Sequence, residues 1–436
     1  MLAVKNTRTI ASANHRFFIG WIMLGIAAVA QYLSAPGQSY SVAAFKEPMR
    51  MDLGISDTDF SAAYGLATIC SACLLPIVGR LVDRFGARIM LPLIAFGLGS
   101  ACLSMSGTDS LSQLYFRLSW VRSMGQGCLM LVSAWLVGSW FERRRGMATA
   151  IVGLGCGFSM MTFPLINDGL MEMFGWEKTW TYLGFTVWAI LILPGLIIIR
   201  NRPEDVGLYP DGIAPGNIPR KDDTAKDSPR APLVTSLADS WRVGEVVRDL
   251  TFWKLLTVPT AVSLVGTGLT FHQVNVLDSH GIARTVALSL VSLQALSIML
   301  MTLPAGWLTD RFESRYLFLV SLAVLGLAVT VLLLMPGPWW AIPYALLLGI
   351  AIAILHNTGT VVWINYYGRL HQGAVRGIAS SVMILASALG PLPLALSKER
   401  YDSYQPALCL FLVLSLGAAT AVWTARPPRR TAEAAT

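Results

Sequence analysis

Long uninterrupted apolar runs dominate the chain, and short polar segments separate them. Runs such as 287–308 and 316–335 hold about 20 residues each, which is the length that an α-helix needs to cross the hydrocarbon core of a bilayer. A transmembrane barrel would instead show alternating strands of about ten residues. The pattern therefore predicts transmembrane helices.

Twelve such helices are predicted, separated by loops and by one long polar stretch. They lie near 17–41, 58–80, 89–107, 111–140, 147–168, 178–199, 252–278, 283–308, 315–335, 338–366, 374–397 and 402–424. The stretch between the sixth and the seventh is rich in proline and mixed charges, which is typical of a linker. The predicted organisation is an N-terminus (1–16), a six-helix half (17–199), a linker (200–251), a second six-helix half (252–424) and a C-terminus (425–436).

The composition excludes most other classes of protein. Hydrophobic residues make up 54% of the 436 residues and charged residues only 13%, about half of the charged fraction of a soluble domain. This indicates an all-α integral membrane protein that spans the bilayer many times. No nucleophile, metal-ligand or phosphate-binding motif is present, so we expect no enzyme activity, no cofactor and no metal.

The net charge of +8 would suggest nucleic acid as the partner of a soluble protein, but in a membrane protein it reports topology. With both termini in the cytoplasm, 25 of the 33 Lys and Arg residues fall on the inside and 6 on the outside. Cytoplasmic loops collect these residues. The bias predicts cytoplasmic termini in a multi-pass protein of the cell membrane, which is the inner membrane if the source is a bacterium.

A ten-residue segment occurs twice, 227 residues apart. Residues 79–88 recur as 306–315, with Gly, Leu, Asp, Arg, Phe and the final Arg all matching. A weaker echo pairs Arg145-Gly146 with Arg376-Gly377. The repeat predicts two parallel six-helix halves joined by the linker.

The repeated segment resembles the signature loop of the major facilitator superfamily. Further motifs resemble the branch of monocarboxylate transporters and oxalate–formate exchangers, at 36–42, 122–127, 140–146, 201–207 and 366–369. The resemblance implies a monomer that rocks one half against the other around a site between its first, fourth, seventh and tenth helices. One departure limits it: the eighth helix carries no charge over 286–308, where carriers of small carboxylates in this branch often have a basic residue. Their substrates are therefore not transferred to this chain.

Arg122 is the strongest candidate for a substrate contact. It lies about 16 Å along the fourth helix, near the middle of the bilayer, where a charge costs at least about 2.5 kcal/mol. Gln126 follows one turn later, and no Asp or Glu lies in the middle of any predicted helix. Either a substrate anion neutralises Arg122, or the arginine is structural and binds backbone carbonyls, water or a polar neighbour.

Other polar residues lie on the remaining helices that would surround the site. The candidates are Gln31 and Tyr32 on the first helix, His272 and Asn275 on the seventh, and His356 and Asn357 on the tenth. The two histidines are the mid-membrane groups that titrate near neutral pH. The sequence therefore leaves two interpretations, a proton symporter that uses histidine and an exchanger without its own proton site.

The repeated loops are expected to gate transport. The predicted gating residues are Gly79, Asp83, Arg84, Arg88, Gly306, Asp310 and Arg311. Each aspartate could accept hydrogen bonds from the N-terminus of a neighbouring helix and pair with Arg84 or Arg311. The resemblance implies that these loops latch the cytoplasmic face.

These observations predict a secondary transporter that moves a small organic anion, foremost a monocarboxylate. Its partners would be that small molecule, the lipid bilayer and, in a symporter, protons. Two alternatives stay open: a carrier or exporter of a neutral or amphipathic compound, and a membrane sensor that has kept the fold without transporting.

Overall fold

The structure is a computed structural model that describes residues 18–212 and 240–426. Every regular element in these two ranges is helical. The predicted N-terminus (1–16), much of the predicted linker and residues 427–436 of the predicted C-terminus lie outside the described residues.

The described residues form fifteen α-helices and several shorter segments. The helices are α1 (Gly20–Tyr32), α2 (Ser39–Leu53), α3 (Asp57–Phe85), α4 (Ala87–Met105), α5 (Leu111–Arg122), α6 (Met130–Trp140), α7 (Arg145–Ile197), α8 (Val243–Arg248), α9 (Leu250–Asp278), α10 (Arg284–Arg311), α11 (Ser314–Leu334), α12 (Ala341–Tyr367), α13 (Gln372–Leu389), α14 (Pro391–Tyr401) and α15 (Gln405–Trp423). Ala35–Gly37 is a 3-10 turn, and Ser123–Leu129 is a π-helical segment.

Helices occupy all twelve predicted segments. In the described part of the chain, nine helices are long and apolar enough to cross a membrane. One of them, α7, covers two predicted segments. Its backbone is non-helical at Gly175, where φ is 80°, so α7 consists of two helices joined at a kink. The first predicted segment, 17–41, contains α1, a 3-10 turn and the start of α2, which continues beyond the predicted end to Leu53. The fourth contains α5, the π-helical segment and α6.

Local sequence explains several helix ends. Ser56 and Asp59 form a reciprocal capping box at the start of α3, which satisfies N–H groups that the first turn leaves free. Gly86 separates α3 from α4 with a φ of 75°, a left-handed conformation that a residue with a Cβ rarely adopts. The chain can therefore reverse direction between these two helices within one residue.

The buried apolar residues form two large clusters. One runs from Met23 to Ile199 and the other from Val246 to Ala425. Two helix pairs join them: α3 packs along α13, and α7 packs along α10. We call the end of the bundle where α3 and α10 end and α7 and α13 begin the loop end.

Candidate functional site

A cavity lies close to the loop end, between residues of the two predicted halves. The empty space there is about 250 Å³, a volume that includes space open to solvent. Its lining residues are Gln31, Ala134, Val137, Thr149, Val152, Gly153, His356 and Thr360.

Polar groups without a partner line this otherwise apolar cavity. The Gln31 Oε1 and Thr149 Oγ1 atoms are buried and have no hydrogen-bond partner among the residues that the structure describes. The side chain of His356 is exposed, and it lines the cavity. Buried polar atoms are normally hydrogen-bonded. Two lining side chains therefore have polar atoms without a partner, and His356 adds an imidazole to the lining.

Beyond the cavity, the first and fourth predicted helices are both irregular and touch each other. The 3-10 turn Ala35–Gly37 lies against the π-helical segment Ser123–Leu129. A Cβ on Gly37 would lie 2.7 Å from the carbonyl oxygen of Val121 and 2.8 Å from the Cα of Gly125. The two backbones are thus in direct contact, and glycine is needed there. Short π-helical segments within α-helices occur frequently at functional sites.

Arg122 holds this junction. Its side chain is only 1% exposed; Nη1 donates to the carbonyl oxygen of Gly37 at 3.3 Å, and Nη2 donates to the amide oxygen of Gln126. The guanidinium carbon lies 4.1 Å from the centre of the Tyr64 ring. These contacts are the kind that the structural interpretation of Arg122 expects. A direct contact of Arg122 or Gln126 with substrate stays a prediction.

Tyr32 links the first predicted helix to α7. Its hydroxyl shares a hydrogen bond of 3.0 Å with Thr162, and its ring centre lies 5.1 Å from that of Phe163. Tyr40 reinforces the link by donating to Ser159 at 2.7 Å. Tyr32 therefore contacts α7 although it follows Gln31 directly in the chain.

The structure does not bring the remaining predicted substrate residues into the cavity lining. The ring of His272 lies 6.3 Å from that of Tyr404. Asn275 is exposed, and Asn357 donates at 3.0 Å to the carbonyl oxygen of Ala353, one turn earlier in α12. Of the substrate residues predicted from sequence, Gln31 and His356 are the two that line the same cavity, and the roles of the others stay predictions.

Asp83 connects the end of α3 to the start of α13. Its carboxylate accepts hydrogen bonds from the main-chain N–H groups of Gly373 and Ala374, both at 2.8 Å, and from the Trp135 indole at 2.9 Å. A carboxylate is well placed there, because the first N–H groups of a helix lack partners within it and carry partial positive charge.

Asp310 makes the matching connection at the second copy of the repeat. Its carboxylate accepts from the main-chain N–H groups of Gly146 at 2.5 Å and Met147 at 2.9 Å, at the start of α7. Each aspartate of the repeat thus caps a helix of the other predicted half. We call these two connections the latches.

Glycines let the helices of each latch approach closely. A Cβ on Gly79 would overlap the carbonyl group of Gly373, and one on Gly306 would overlap that of Gly146. Main-chain atoms cannot move aside as a flexible side chain can. Close contact at both latches therefore depends on residues without a Cβ.

The arginines of the repeat make other contacts. The guanidinium carbon of Arg84 lies 5.4 Å from the centre of the Phe85 ring, and that of Arg311 lies 4.0 Å from the Trp307 ring. The exposed Arg88 donates its main-chain N–H to Asn201 at 2.9 Å. The pairing of the two aspartates with Arg84 and Arg311 stays a prediction.

Comparison with known proteins decides the family. The family model described as Major Facilitator Superfamily matches residues 17–278 and 255–436. The chain belongs to the major facilitator superfamily. The structure of the fucose:proton symporter FucP of Escherichia coli, also solved in the outward conformation, shares the fold with a TM-score of 0.66 and 10% identity. That match covers 94% of this chain and 100% of FucP.

Curated relatives from this superfamily are distant and are matched in part. Monocarboxylate transporter 6 of Homo sapiens is 25% identical over 76% of this chain and 65% of its own length. The oxalate:formate antiporter of Oxalobacter formigenes is 25% identical over 63% of this chain and 60% of its own length. The chain thus spans under two thirds of either relative. Together with the apolar helices, superfamily membership shows a multi-pass membrane transporter, and these relatives are transporters rather than enzymes.

Some residues of the site carry no signal that sequence reasoning could use. Thr149 is one of several hydroxyl residues within apolar helices, and Trp135 shows its role only through its hydrogen bond to Asp83. Arg145 and Arg376 do carry a signal, because they form the weaker echo of the repeat. That echo could have identified both as residues at equivalent places in the two halves of a superfamily transporter.

Proposed function

We propose that the protein is a secondary transporter of a small organic anion, foremost a monocarboxylate, and that it works by alternating access. The observation that carries the proposal is the cavity between the halves, with the unpaired polar groups of Gln31 and Thr149 and the imidazole of His356. The latches close the bundle next to it.

The moving parts are the halves 17–199 and 252–424. Each latch joins helices from different halves, so both latches must break before the loop end can open. Substrate sites of such carriers lie at the interface of the repeats, and alternating access rocks one repeat against the other around a fixed site. We assign the structure to the state that is closed at the loop end.

We place the loop end in the cytoplasm. The segments that surround it carry many of the arginines on which the charge bias rests, including Arg80, Arg84, Arg143 and Arg144. The described state is then closed towards the cytoplasm. A substrate in the cavity would leave to the inside once Asp83 and Asp310 release the helices that they cap.

The monocarboxylate assignment draws on the relatives and on the chemistry of the cavity. Two relatives are named for monocarboxylates or for oxalate and formate, which are small carboxylates. The hydroxyl of Thr149 and the imidazole of His356 can donate to a carboxylate oxygen. His356 is the titratable side chain in the lining, so we assign proton coupling to it in a symporter; in an exchanger it would bind substrate alone.

Uptake into liposomes tests this proposal. The purified protein is reconstituted, and uptake of labelled lactate, pyruvate, formate and oxalate is measured with and without an inward proton gradient. We expect saturable uptake of at least one acid that protein-free liposomes lack. Absence of uptake of every acid by correctly folded protein would contradict the organic-anion proposal.

One observation favours a second candidate, a carrier of a neutral compound. Both Nη atoms of Arg122 bond within the protein, to Gly37 and Gln126, and its guanidinium lies over Tyr64, while its Nε meets no acceptor among the described residues. The cavity lining itself contains no arginine, lysine or carboxylate. Adding the neutral amides of the same acids to the uptake panel separates the candidates. A neutral carrier would accept acid and amide alike, or the amide alone.

A further inference from the structure

A buried arginine lies directly beside the cavity. Arg376, in the first turns of α13, is only 4% exposed. Its Nη2 donates to the main-chain oxygen of Thr360, a residue of the cavity lining. The same nitrogen lies 3.4 Å from the position that a Cβ on Gly138 would take, next to the lining residue Val137. Arg376 therefore contacts the cavity lining on the side of the loop end, although it is not itself one of the lining residues.

Two nitrogens of this guanidinium lack acceptors. Nε and Nη1 of Arg376 are buried and meet no hydrogen-bond partner in the part of the chain that the structure describes. An arginine stays charged in proteins, and a buried charge without a partner is strongly destabilising. An anion within reach of these two nitrogens would relieve that cost.

Arg145, the counterpart of Arg376 in the sequence echo, shows what a satisfied arginine looks like here. Its Nε donates to the carbonyl oxygen of Phe141 at 2.9 Å, and its Nη1 donates to the side-chain oxygen of Asn365 at 2.7 Å. It is also 4% exposed. The same two nitrogens are thus bonded in one half and without acceptors in the other, so burial at this place in the fold does not by itself leave them unpaired.

The surrounding charges do not neutralise Arg376. Asp83 attracts it and Arg145 repels it. The carboxylate oxygens of Asp83 already accept from Gly373, Ala374 and Trp135. The guanidinium therefore has one attracting carboxylate, which is already bonded within the latch, and one repelling neighbour.

We propose that Arg376 binds the carboxylate of the transported anion at the loop end of the cavity, together with the donors Thr149 and His356, while Gln31 contacts the rest of the molecule. The proposal rests on the anion-transport function proposed above and names the residue that makes it selective for acids. It assigns to Arg376 the role that the sequence alone suggested for Arg122. In this arrangement Arg122 supports the junction of the broken first and fourth helices.

The test compares acids with their neutral amides. Binding of lactate and lactamide, and of pyruvate and pyruvamide, is measured by calorimetry on the full chain in lipid nanodiscs. We expect the wild type to prefer the acid, and Arg376→Gln to weaken acid binding at least tenfold, down to the level of the amide. Arg145→Gln and Arg122→Gln are the matched controls, because they remove an equally buried guanidinium; both should keep the preference for the acid.

Each other outcome is decisive. A wild type without preference for either acid contradicts the anion-transport function and the role of Arg376 together. If the wild type prefers the acid and Arg376→Gln keeps that preference, Arg376 is not the anion ligand, although the protein still carries anions. Loss of the preference in Arg122→Gln alone would return the role to Arg122.

A second variant covers the case in which Arg376→Gln does not fold. Arg376→Lys keeps the positive charge but presents it as a compact ammonium group on a flexible stem. We expect it to keep the preference for acids with binding about threefold to tenfold weaker than in the wild type. Acid binding equal to that of the wild type would contradict direct recognition by the guanidinium.

Discussion

At the scale of single residues, the two latch aspartates use the same chemistry at equivalent places. Asp83 and Asp310 each accept two main-chain N–H groups from the start of a helix in the other half. A hydrogen bond to a charged group contributes about 1.5–3 kcal/mol, against about 0.5–1.5 kcal/mol for a neutral one. The negative charge of each aspartate should therefore stabilise the state that is closed at the loop end.

We predict that Asp83→Asn slows transport without changing the order of preferred substrates. Losing about 1–2 kcal/mol from one latch would shift the balance between closed and open states about tenfold. Initial uptake rates for several acids measure both effects. Asp59→Asn is the control, because Asp59 caps α3 within a single half. A change in substrate preference without a change in maximal rate would contradict a gating role for Asp83.

His356 carries the prediction on proton coupling. Because its imidazole faces the cavity, we expect His356→Gln to lose the stimulation of uptake by an inward proton gradient while exchange of labelled for unlabelled substrate continues. His272→Gln is the control, since His272 packs near Tyr404 away from the cavity lining. Stimulation that survives in both variants would rule out coupling by histidine and leave an exchanger.

At the scale of helices, the sequence predicts where each helix lies better than where a helix is irregular. The apolar runs indicate where helices lie, because the bilayer sets a minimum length for each. The 3-10 turn Ala35–Gly37 and the π-helical segment Ser123–Leu129 meet through residues about 85 positions apart, as the bond from Arg122 to Gly37 shows. Periodicity depends only on residues that are close in the sequence, so it predicts that the first and fourth helices are continuous.

The contact between the broken helices gives a prediction about stability. Gly37→Ala places a Cβ 2.7 Å from the main-chain oxygen of Val121 in α5 and 2.8 Å from main-chain atoms of the π-helical segment, and overpacking of this kind costs about 1–3 kcal/mol. We expect a melting temperature several degrees lower in detergent. Gly25→Ala is the matched control on α1, where a Cβ would have nothing within 4 Å. Equal melting temperatures for the two variants would contradict the close contact.

The same limit explains which parts of the site were predictable. Gln31 and His356 stand out because polar residues in the membrane need a function or a partner, and both line the cavity. The carbonyl group that Arg122 binds becomes available only through the break next to Gly37, and no sequence pattern shows it. Arg376 lies beside a loop, so from sequence alone it is counted with the cytoplasmic arginines. Its burial is visible only in the structure.

At the scale of the whole molecule, the repeat in the sequence reappears as a reciprocal pair of contacts. Each half contributes one aspartate that caps a helix of the other half, and each latch pairs glycines that touch. Two equivalent contacts between the predicted halves suit a carrier that alternates between two states. A protein that only senses its ligand has less need of both.

Counterflow in reconstituted vesicles tests whether the protein is a carrier of small organic anions. Vesicles are loaded with unlabelled lactate or pyruvate and diluted into a trace of the labelled acid, without any ion gradient. A carrier that alternates around one site should concentrate the label transiently inside the vesicles, and Arg376→Gln should abolish that transient while the matched Arg145→Gln keeps it. Wild-type vesicles that never exceed simple equilibration with either acid would contradict the account of this protein as a carrier of small organic anions.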